Sequence, residues 1–186
     1  WIQSGALNWT EVPPRVEGII AERLNRLSAE SRELLRAAGT EGEDFTAEVA
    51  ACVAGWEPRD AIRHLSEVLG RQEQLVEALD VQTAHGGRAS RYRFSHALFR
   101  QQLLETLDAA ERCYIHEAVA GCLPKVYGTT AGLEQQLASH LLEARLEHQA
   151  LPYLIAAGDA ALKSFANREA HAAYERAVRS VETGGA

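Results

Sequence analysis

Apolar residues recur at intervals of three and four through the first seventy positions of the chain, which is the spacing of amphipathic helices. A first periodic segment starts at Val16, and Ser28 is placed to cap a second helix. Thr46 is placed to cap a short third helix. A fourth is predicted over residues 58–69, because a proline at a first helical position loses no hydrogen bond and Gly70 follows as a terminator.

The period then changes from helical to alternating. Residues 75–84 are predicted to be extended, and residues 91–95 are predicted to form the partner strand, on which Tyr92 and Phe94 share one face. A glycine-containing loop joins the two strands. Helices followed by such a hairpin form a winged-helix pattern, with a three-helix core over residues 28–69 and the loop as its wing.

After the hairpin the pattern is helical to the end of the chain. Helices are predicted over residues 95–107, 109–123, 132–146, 149–165 and 168–181. Their short connections predict antiparallel packing of neighbours. The last two alternate small and large residues as tetratricopeptide repeats do: Gly158 and Ala170 allow close approach, and Tyr174 fills the groove between the helices. Three alanines of the last helix, Ala170, Ala173 and Ala177, are expected to face a further repeat.

These patterns predict a mainly α fold, in which a winged-helix domain with a small β-hairpin wing precedes an antiparallel tetratricopeptide-like helical array. Residues 1–15 are expected to be a linker, because a double proline interrupts regular structure at its end. The winged-helix domain is predicted over residues 16–107 and the helical hairpins over residues 108–186. The chain begins at Trp1 and contains no methionine, so we expect it to be a piece of a longer polypeptide.

Composition narrows the functional classes. The chain has 186 residues, 46% of them apolar and 24% charged, which is enough to bury a core. Its formal net charge of -7 is a poor match for a nucleic-acid binder, which usually presents a basic face. It contains no apolar run as long as a membrane span and no signal peptide. We therefore expect a cytoplasmic protein with no membrane partner.

Cysteines and histidines give no pattern typical of a metal site. Cys52, Cys113 and Cys122 are odd in number, form no C-x-x-C pair and fall in apolar helical segments, so we expect buried structural thiols rather than a disulfide framework. His116 precedes a glutamate, but Ala120 stands where the second histidine of an H-E-x-x-H motif would be. No metal is predicted, and no G-x-S-x-G nucleophile motif is present.

The junction between the second strand and the following helix is the strongest candidate site. His96 lies there, at a predicted helix start, where unpaired N–H groups and the helix dipole favour an anion. Leaving histidine aside, all charged residues between Asp80 and Glu105 are arginines. These are Arg88, Arg91, Arg93 and Arg100. They could contact DNA phosphates or an acidic surface of a neighbouring domain, and the acidic balance of the chain favours the second interpretation.

Three segments in this order resemble the regulatory arm of signal-transduction ATPases with numerous domains, the STAND group that includes large LuxR-type regulators. They are VEGIIAERLNRL at residues 16–27, YRFSHALFR at residues 92–100, and AER at residues 110–112 with His116. The resemblance implies that a P-loop ATPase domain, which binds ATP and ADP, precedes the winged helix. This chain has no G-x-x-x-x-G-K-[ST] motif, so we expect no catalysis and no cofactor in it.

The resemblance also implies a role for His96. Related proteins carry a Met-His-Asp motif at this junction, whose histidine contacts the β-phosphate of ADP and holds the closed state. Ser95 and Ala97 replace the methionine and the aspartate here. The implied function is signal transduction and transcription regulation: the arm couples the nucleotide state of the upstream ATPase domain to oligomerisation or output. A protein partner or a small inducer would bind in the helical groove.

Two other functions are compatible with the pattern. One is a DNA-binding winged-helix transcription regulator with a helical dimerisation tail, for which Arg59, Arg63 and His64 would be the base-reading candidates. The acidic balance makes DNA an unfavourable partner for this chain. The other is a stand-alone helical scaffold for protein interaction, with no connection to a nucleotide.

Overall fold

A computed structural model describes residues 14–84 and 87–184. The described chain is 71% helical, with nine helices and one three-stranded antiparallel sheet, so the prediction of a mainly helical fold is confirmed. Most of the linker expected over residues 1–15, and the tip of the predicted wing at residues 85–86, lie outside the described ranges.

The first part of the chain contains four helices and the sheet. Their bounds are α1 Pro14–Asn25, α2 Ala29–Glu41, β1 Asp44–Thr46, α3 Ala47–Ala54, α4 Pro58–His64, β2 Val76–Ala84 and β3 Gly87–Phe94. Ser28 caps α2 as predicted, since its Oγ accepts the Ser31 N–H at 3.1 Å. Thr46 makes no side-chain cap on α3, so that prediction is wrong.

The fourth helix does not end at Gly70. It continues from α4 as a π-helical segment over Leu65–Gln72, and the chain turns at Gln74, whose φ is 51°. Glycine is nevertheless favoured at position 70, because a Cβ there would lie in a tight contact, 3.0 Å from the Leu65 carbonyl oxygen. In the wider π turn the Leu65 carbonyl comes close to position 70. Gly70 therefore allows close backbone packing and does not terminate the helix.

The sheet has the order β1-β3-β2, with every neighbour antiparallel. The sequence pattern did not predict β1, which is only three residues long and pairs Asp44–Thr46 with residues 91–93 of β3. The predicted alternation on β3 is confirmed, because Tyr92 and Phe94 are both buried. They pack on Phe45 of β1, with ring centroids 5.9 Å and 5.3 Å from that of Phe45.

The second part of the chain consists of five helices. Their bounds are α5 Ala97–Glu105, α6 Ala109–Tyr127, α7 Glu134–Glu143, α8 Glu147–Lys163 and α9 Asn167–Gly184. The helix predicted over residues 109–123 does not end before Pro124. Helix α6 runs through that proline to Tyr127 and is capped by Gly128, where φ is 67° and the N–H donates to the Pro124 carbonyl at 2.8 Å. None of the described helices is both long and apolar enough to cross a membrane.

Two apolar cores are distinguished by the helices that line them. The first lies under the sheet among α1, α2, α4 and α5 and contains Leu34, Leu65 and Phe94. The second lies among α6, α7 and α8 and contains Leu123 and Leu154. Helix α3 serves both, because its Ala47, Ala50 and Ala51 pack in the first core and its Val49 in the second.

The α8–α9 pair has the predicted close approach. A Cβ at Gly158 would lie 2.5 Å from the Tyr174 ring, so only glycine leaves room for that ring, whose hydroxyl donates to Asp159 Oδ1 at 2.6 Å. Ala170, Ala173 and Ala177 are already buried within the described chain, so the expectation that they face a further repeat is wrong. The large apolar residues of α9 that are exposed, among those described, are Val178 and Val181.

Candidate functional site

His96 lies between the end of β3 and the start of α5, at the predicted junction. It is the N-cap of α5, with extended backbone dihedrals (φ −150°, ψ 135°), and its Nδ1 accepts the Leu98 N–H at 3.2 Å. Because Nδ1 is the acceptor, the ring proton is on Nε2 in the neutral form. The side chain is exposed, so this N–H is presented to solvent at the positive end of a helix.

The surroundings of His96 fix its position from both sides. Ser95 N–H donates to the Leu75 carbonyl at 2.9 Å, which ties the end of β3 to the start of β2. Phe99 is buried, and the Arg23 guanidinium lies 5.0 Å from its ring centroid. No acidic residue occurs in the first turn of α5. These contacts anchor the junction on both sides, and the first turn of α5 carries no negative charge that would oppose an anion.

Arg91 and Arg93 do not form a free positive patch. Both pair with Asp44 of β1: Arg91 at 3.1 Å, and Arg93 in a bidentate contact at 2.5 Å and 2.8 Å. Arg91 also lies 3.6 Å from Asp80. The hydrogen bond from Arg93 lowers the pKa of Asp44, so this carboxylate stays ionised.

The other two arginines of the candidate site are oriented differently. Arg100 donates from Nε to the Gly39 carbonyl at 2.7 Å, which joins α5 to the last turn of α2 while the guanidinium keeps its charge. Arg88 is exposed on β3 opposite Thr83. The four arginines therefore have different environments, and the contacts of the described residues do not gather them with His96 into one cluster.

A polar cluster that the sequence pattern did not predict connects the sheet to α6. Glu41 accepts the Thr46 N–H at 3.0 Å, and the Thr46 hydroxyl lies 2.9 Å from the Tyr127 hydroxyl. This contact explains why Thr46 does not cap α3: its oxygen is used elsewhere. The pKa of Glu41 is raised to about 7, chiefly by burial and also by the nearby charge of Glu48, while the hydrogen bonds from Thr46 oppose the rise.

A histidine pair holds α6 against α7. His116 and His140 approach with their Nδ1 atoms 2.9 Å apart, which requires one ring to donate and the other to accept. His140 is 5% exposed, and burial followed by the charge of His116 lowers its pKa to about 4. Burial also lowers the pKa of His116. Over the residues that the structure describes, no group of three or more potential ligands is placed to hold a metal ion.

The expectation of three buried thiols is wrong. Cys52 and Cys122 form a disulfide between α3 and α6, with Cα atoms 6.0 Å apart, and Cys52 is exposed while Cys122 is buried. Only Cys113 keeps a free thiol among the described cysteines; it is half-buried and its Sγ lies 3.5 Å from the Glu143 carbonyl. The pairing was not predictable from spacing, because 70 residues separate the two cysteines.

A cleft of about 680 Å³ lies between α2, α3 and α6, and we call it the α2/α3/α6 cleft. Its wall on α3 contains Val53 and Ala54, and its wall on α6 contains Tyr114, Ile115 and Ala118. The volume is in the range of small-molecule sites. It lies where the two predicted domains meet, and not between α8 and α9.

Comparisons with known proteins give no relative for this chain. No family model, no curated protein and no solved structure matches it.

Proposed function

We propose that this chain is the non-catalytic regulatory arm of a STAND-type signal-transduction ATPase, in which His96 senses the phosphate of bound ADP. The observation that carries the proposal is the position of His96 as the N-cap of α5, directly after β3. With Nδ1 engaged by the Leu98 N–H, the exposed Nε2–H is available to donate to a phosphate oxygen. A hydrogen bond to an anion strengthens as water is excluded from the site.

The order of elements supports a winged-helix domain in the arm. Three helices, α2, α3 and α4, are interrupted by β1 after the first and followed by the β2–β3 hairpin, and the sheet order is β1-β3-β2. In this interpretation the hairpin is the wing and α4 is the third helix of the core. The antiparallel pairs from α6 to α9 would then be the start of a tetratricopeptide-like array that binds a protein partner or a small inducer.

The ion pairs of β3 favour contact with the upstream ATPase domain over contact with DNA. Asp44 already neutralises part of the charge that Arg91 and Arg93 would offer to DNA phosphates. Two of the base-reading candidates on α4 also have partners within the chain, since Arg63 bonds Asp60 at 2.7 Å and His64 lies 2.8 Å from the Ser31 hydroxyl. In this proposal the guanidinium groups of Arg88 and Arg100 pair with acidic residues on the surface of the ATPase domain.

In mechanistic terms the arm is a two-state element of a cytoplasmic switch. ADP bridged by His96 holds the arm against the ATPase domain, and exchange for ATP removes that contact and releases the arm for oligomerisation or transcriptional output. The ligand shifts the equilibrium only by its differential affinity for the two states. Loss of the His96 contact must therefore weaken the binding of ADP more than the binding of ATP.

The test is calorimetry of ADP and ATP binding by the longer protein that contains the ATPase domain. His96→Ala is expected to lower the affinity for ADP by roughly tenfold or more, which is the contribution of one charge-assisted hydrogen bond. The affinity for ATP should be nearly unchanged. His96→Asn separates sensing from capping, because asparagine retains an N-cap acceptor but lacks the imidazole N–H. It is expected to bind ADP as weakly as His96→Ala while unfolding like the wild type.

His171→Ala is the matched control, because His171 is an exposed histidine on α9, far from the junction along the chain, and its side chain is 74% exposed. It is expected to bind both nucleotides like the wild type. Equal ADP affinity in the wild type and both His96 variants would refute the sensor and favour the stand-alone helical scaffold.

The DNA-binding alternative is tested separately by fluorescence anisotropy of this chain with duplex DNA over a range of salt concentrations. We expect no binding at physiological salt. Binding that falls steeply with salt, and that Arg59→Ala weakens, would instead favour the winged-helix transcription regulator.

A further inference from the structure

The Cys52–Cys122 disulfide is the covalent connection between the two apolar cores. Cys52 lies on α3, whose alanines pack in the first core, and Cys122 lies on α6 among the buried residues of the second. The bond closes a loop that contains α4, β2, β3 and α5, between two cysteines 70 positions apart. Its presence therefore limits how far α3 and α6 can separate.

The two cysteine residues differ in their exposure to solvent. Cys52 is exposed near the C-terminal end of α3, whereas Cys122 is 5% exposed on the inward face of α6. Thiol–disulfide exchange requires an attacking sulfur to reach a target sulfur. An external thiol or disulfide can therefore react at Cys52 in the folded protein, and Cys122 can react only with Cys52 or after local opening.

Cys113 is excluded as a competing partner by geometry. It is on the same helix as Cys122, nine residues earlier, which places it about 13 Å away along the axis. Two cysteines at that separation cannot bond without unfolding the helix. Because the Cys52 Cα is 6.0 Å from that of Cys122, Cys113 is also at least about 7 Å from Cys52, beyond the reach of a disulfide. Disulfide formation within the folded chain is thus confined to one pair.

We propose that Cys52 and Cys122 are a reversible thiol–disulfide latch between α3 and α6, with a low-molecular-weight disulfide such as oxidised glutathione as its oxidant. The Cys52 thiolate attacks one sulfur of that disulfide, forms a mixed disulfide and releases one thiolate. The Cys122 thiolate then attacks the Cys52 sulfur, forms the protein disulfide and releases the second thiolate. Two protein thiols are oxidised, one external disulfide is reduced to two thiols, and the two protons pass to those thiols.

The latch acts on the α2/α3/α6 cleft. Val53, which follows Cys52, lies in one wall of the cleft, and Ala118, one turn before Cys122 on α6, lies in the opposite wall. The disulfide holds these walls together at one end, and reduction frees them to part. This inference goes beyond the nucleotide-sensing proposal and does not depend on it, because none of its residues belongs to the His96 junction.

The test equilibrates the full chain in glutathione buffers of graded reduced-to-oxidised ratio, traps the thiols with acid and alkylation, and identifies bonded peptides by mass spectrometry. We expect a single transition in which Cys52 and Cys122 are oxidised together as a pair. The Cys122→Ser variant is expected to accumulate the mixed disulfide of Cys52 with glutathione. In Cys52→Ser, the alkylation of Cys122 is expected to be at least about tenfold slower than that of Cys52 in Cys122→Ser.

Hydrogen–deuterium exchange then tests whether the bond is a latch. The amides of residues 47–54 and 109–127 are expected to exchange faster in the reduced protein than in the oxidised one, and Cys113→Ser is expected to show the same difference. No Cys52–Cys122 bond at any buffer ratio, or equal exchange of α3 and α6 in the two redox states, would overturn the proposal. Mixed disulfides at Cys52 and Cys122 alike, without their joining, would also overturn it.

Discussion

The region around the sheet and the α8–α9 pair differ in the size of the side chains that pack them. Around the sheet, large side chains such as Phe45, Phe94 and Leu34 are buried, and each fills space left by several elements. Between α8 and α9, most of the buried residues are small, namely Ala157, Gly158, Ala170, Ala173 and Ala177, and the Tyr174 ring lies against Gly158. The packing around the sheet therefore depends on large side chains that fill the core, whereas the packing of α8 on α9 depends on a missing side chain at Gly158 that leaves room for Tyr174.

The largest effect should come from removing volume at the centre of the sheet region. Phe45→Ala is expected to destabilise the protein by about 3–5 kcal/mol, because the ring is 1% exposed and packs on Tyr92 and Phe94. Phe165→Ala is the matched control, since that ring is 88% exposed, and it should change the stability by about 0.5 kcal/mol or less. Urea unfolding measures both. Similar losses in the two variants would contradict the description of the first core.

Acid should weaken the boundary between α6 and α7. The pKa of His140 is lowered to about 4, so the unfolded chain takes up a proton below about pH 6.5 while the folded protein does not. The stability from this group is complete above pH 6.5 and is lost as the pH falls toward 4, by about 3 kcal/mol in total. Glu41, with its raised pKa, acts in the opposite direction between pH 4.5 and 7, so a His140 variant must isolate the effect.

The isolating variant is His140→Asn, which keeps a polar atom near the position of Nδ1 but does not titrate. The difference in unfolding free energy between it and the wild type should decrease as the pH falls from 6.5 to 4. The exposed His171→Asn variant should show no such trend. A difference that is independent of pH for His140→Asn would show that the pair does not remain neutral in the folded protein.

Adding volume should damage the α8–α9 pair specifically. Gly158→Ala is expected to cost about 1–3 kcal/mol, because its Cβ would meet the Tyr174 ring at 2.5 Å and displace the Tyr174–Asp159 hydrogen bond. Gly121→Ala is the control within α6, where a Cβ meets nothing within 4 Å, and it should stabilise by about 0.5–1 kcal/mol. Thermal unfolding of the two variants should move in opposite directions. A shift of the same sign would remove the distinction between the two kinds of packing.

The smallest effect is expected at a local cap of the sheet region. Ser28→Ala removes the acceptor of the Ser31 N–H and should cost about 1 kcal/mol. Ser28→Asn retains an acceptor and should restore most of the loss. If Ser28→Asn is as unstable as Ser28→Ala, the capping bond is not what Ser28 contributes.

The sequence predicted those features that depend on neighbouring residues. Helical periodicity located the helices, alternation located the hairpin, and the change between the two periods located His96 at a helix start. Strand β1 was missed because three residues are too few to establish a period. That omission also hid Asp44, the partner of Arg91 and Arg93, so the arginines were interpreted as a free basic block.

Features built from distant residues were not predictable in this way. His116 and His140 are 24 positions apart and Cys52 and Cys122 are 70 positions apart, and neither spacing carries a signal that the two residues meet. The Thr46 contact with Tyr127 is of the same kind, and it overrode a local capping preference. At the candidate site itself, the cap geometry of His96 was local and therefore predictable, whereas the neutralisation of its arginine neighbours was not.

A structure of the longer protein with ADP bound is the most direct test of the central claim. We expect His96 Nε2 to lie about 3 Å from a β-phosphate oxygen, while Nδ1 still accepts the Leu98 N–H. A nucleotide bound in the ATPase domain with the His96 ring facing solvent, out of hydrogen-bond reach of any phosphate, would contradict it.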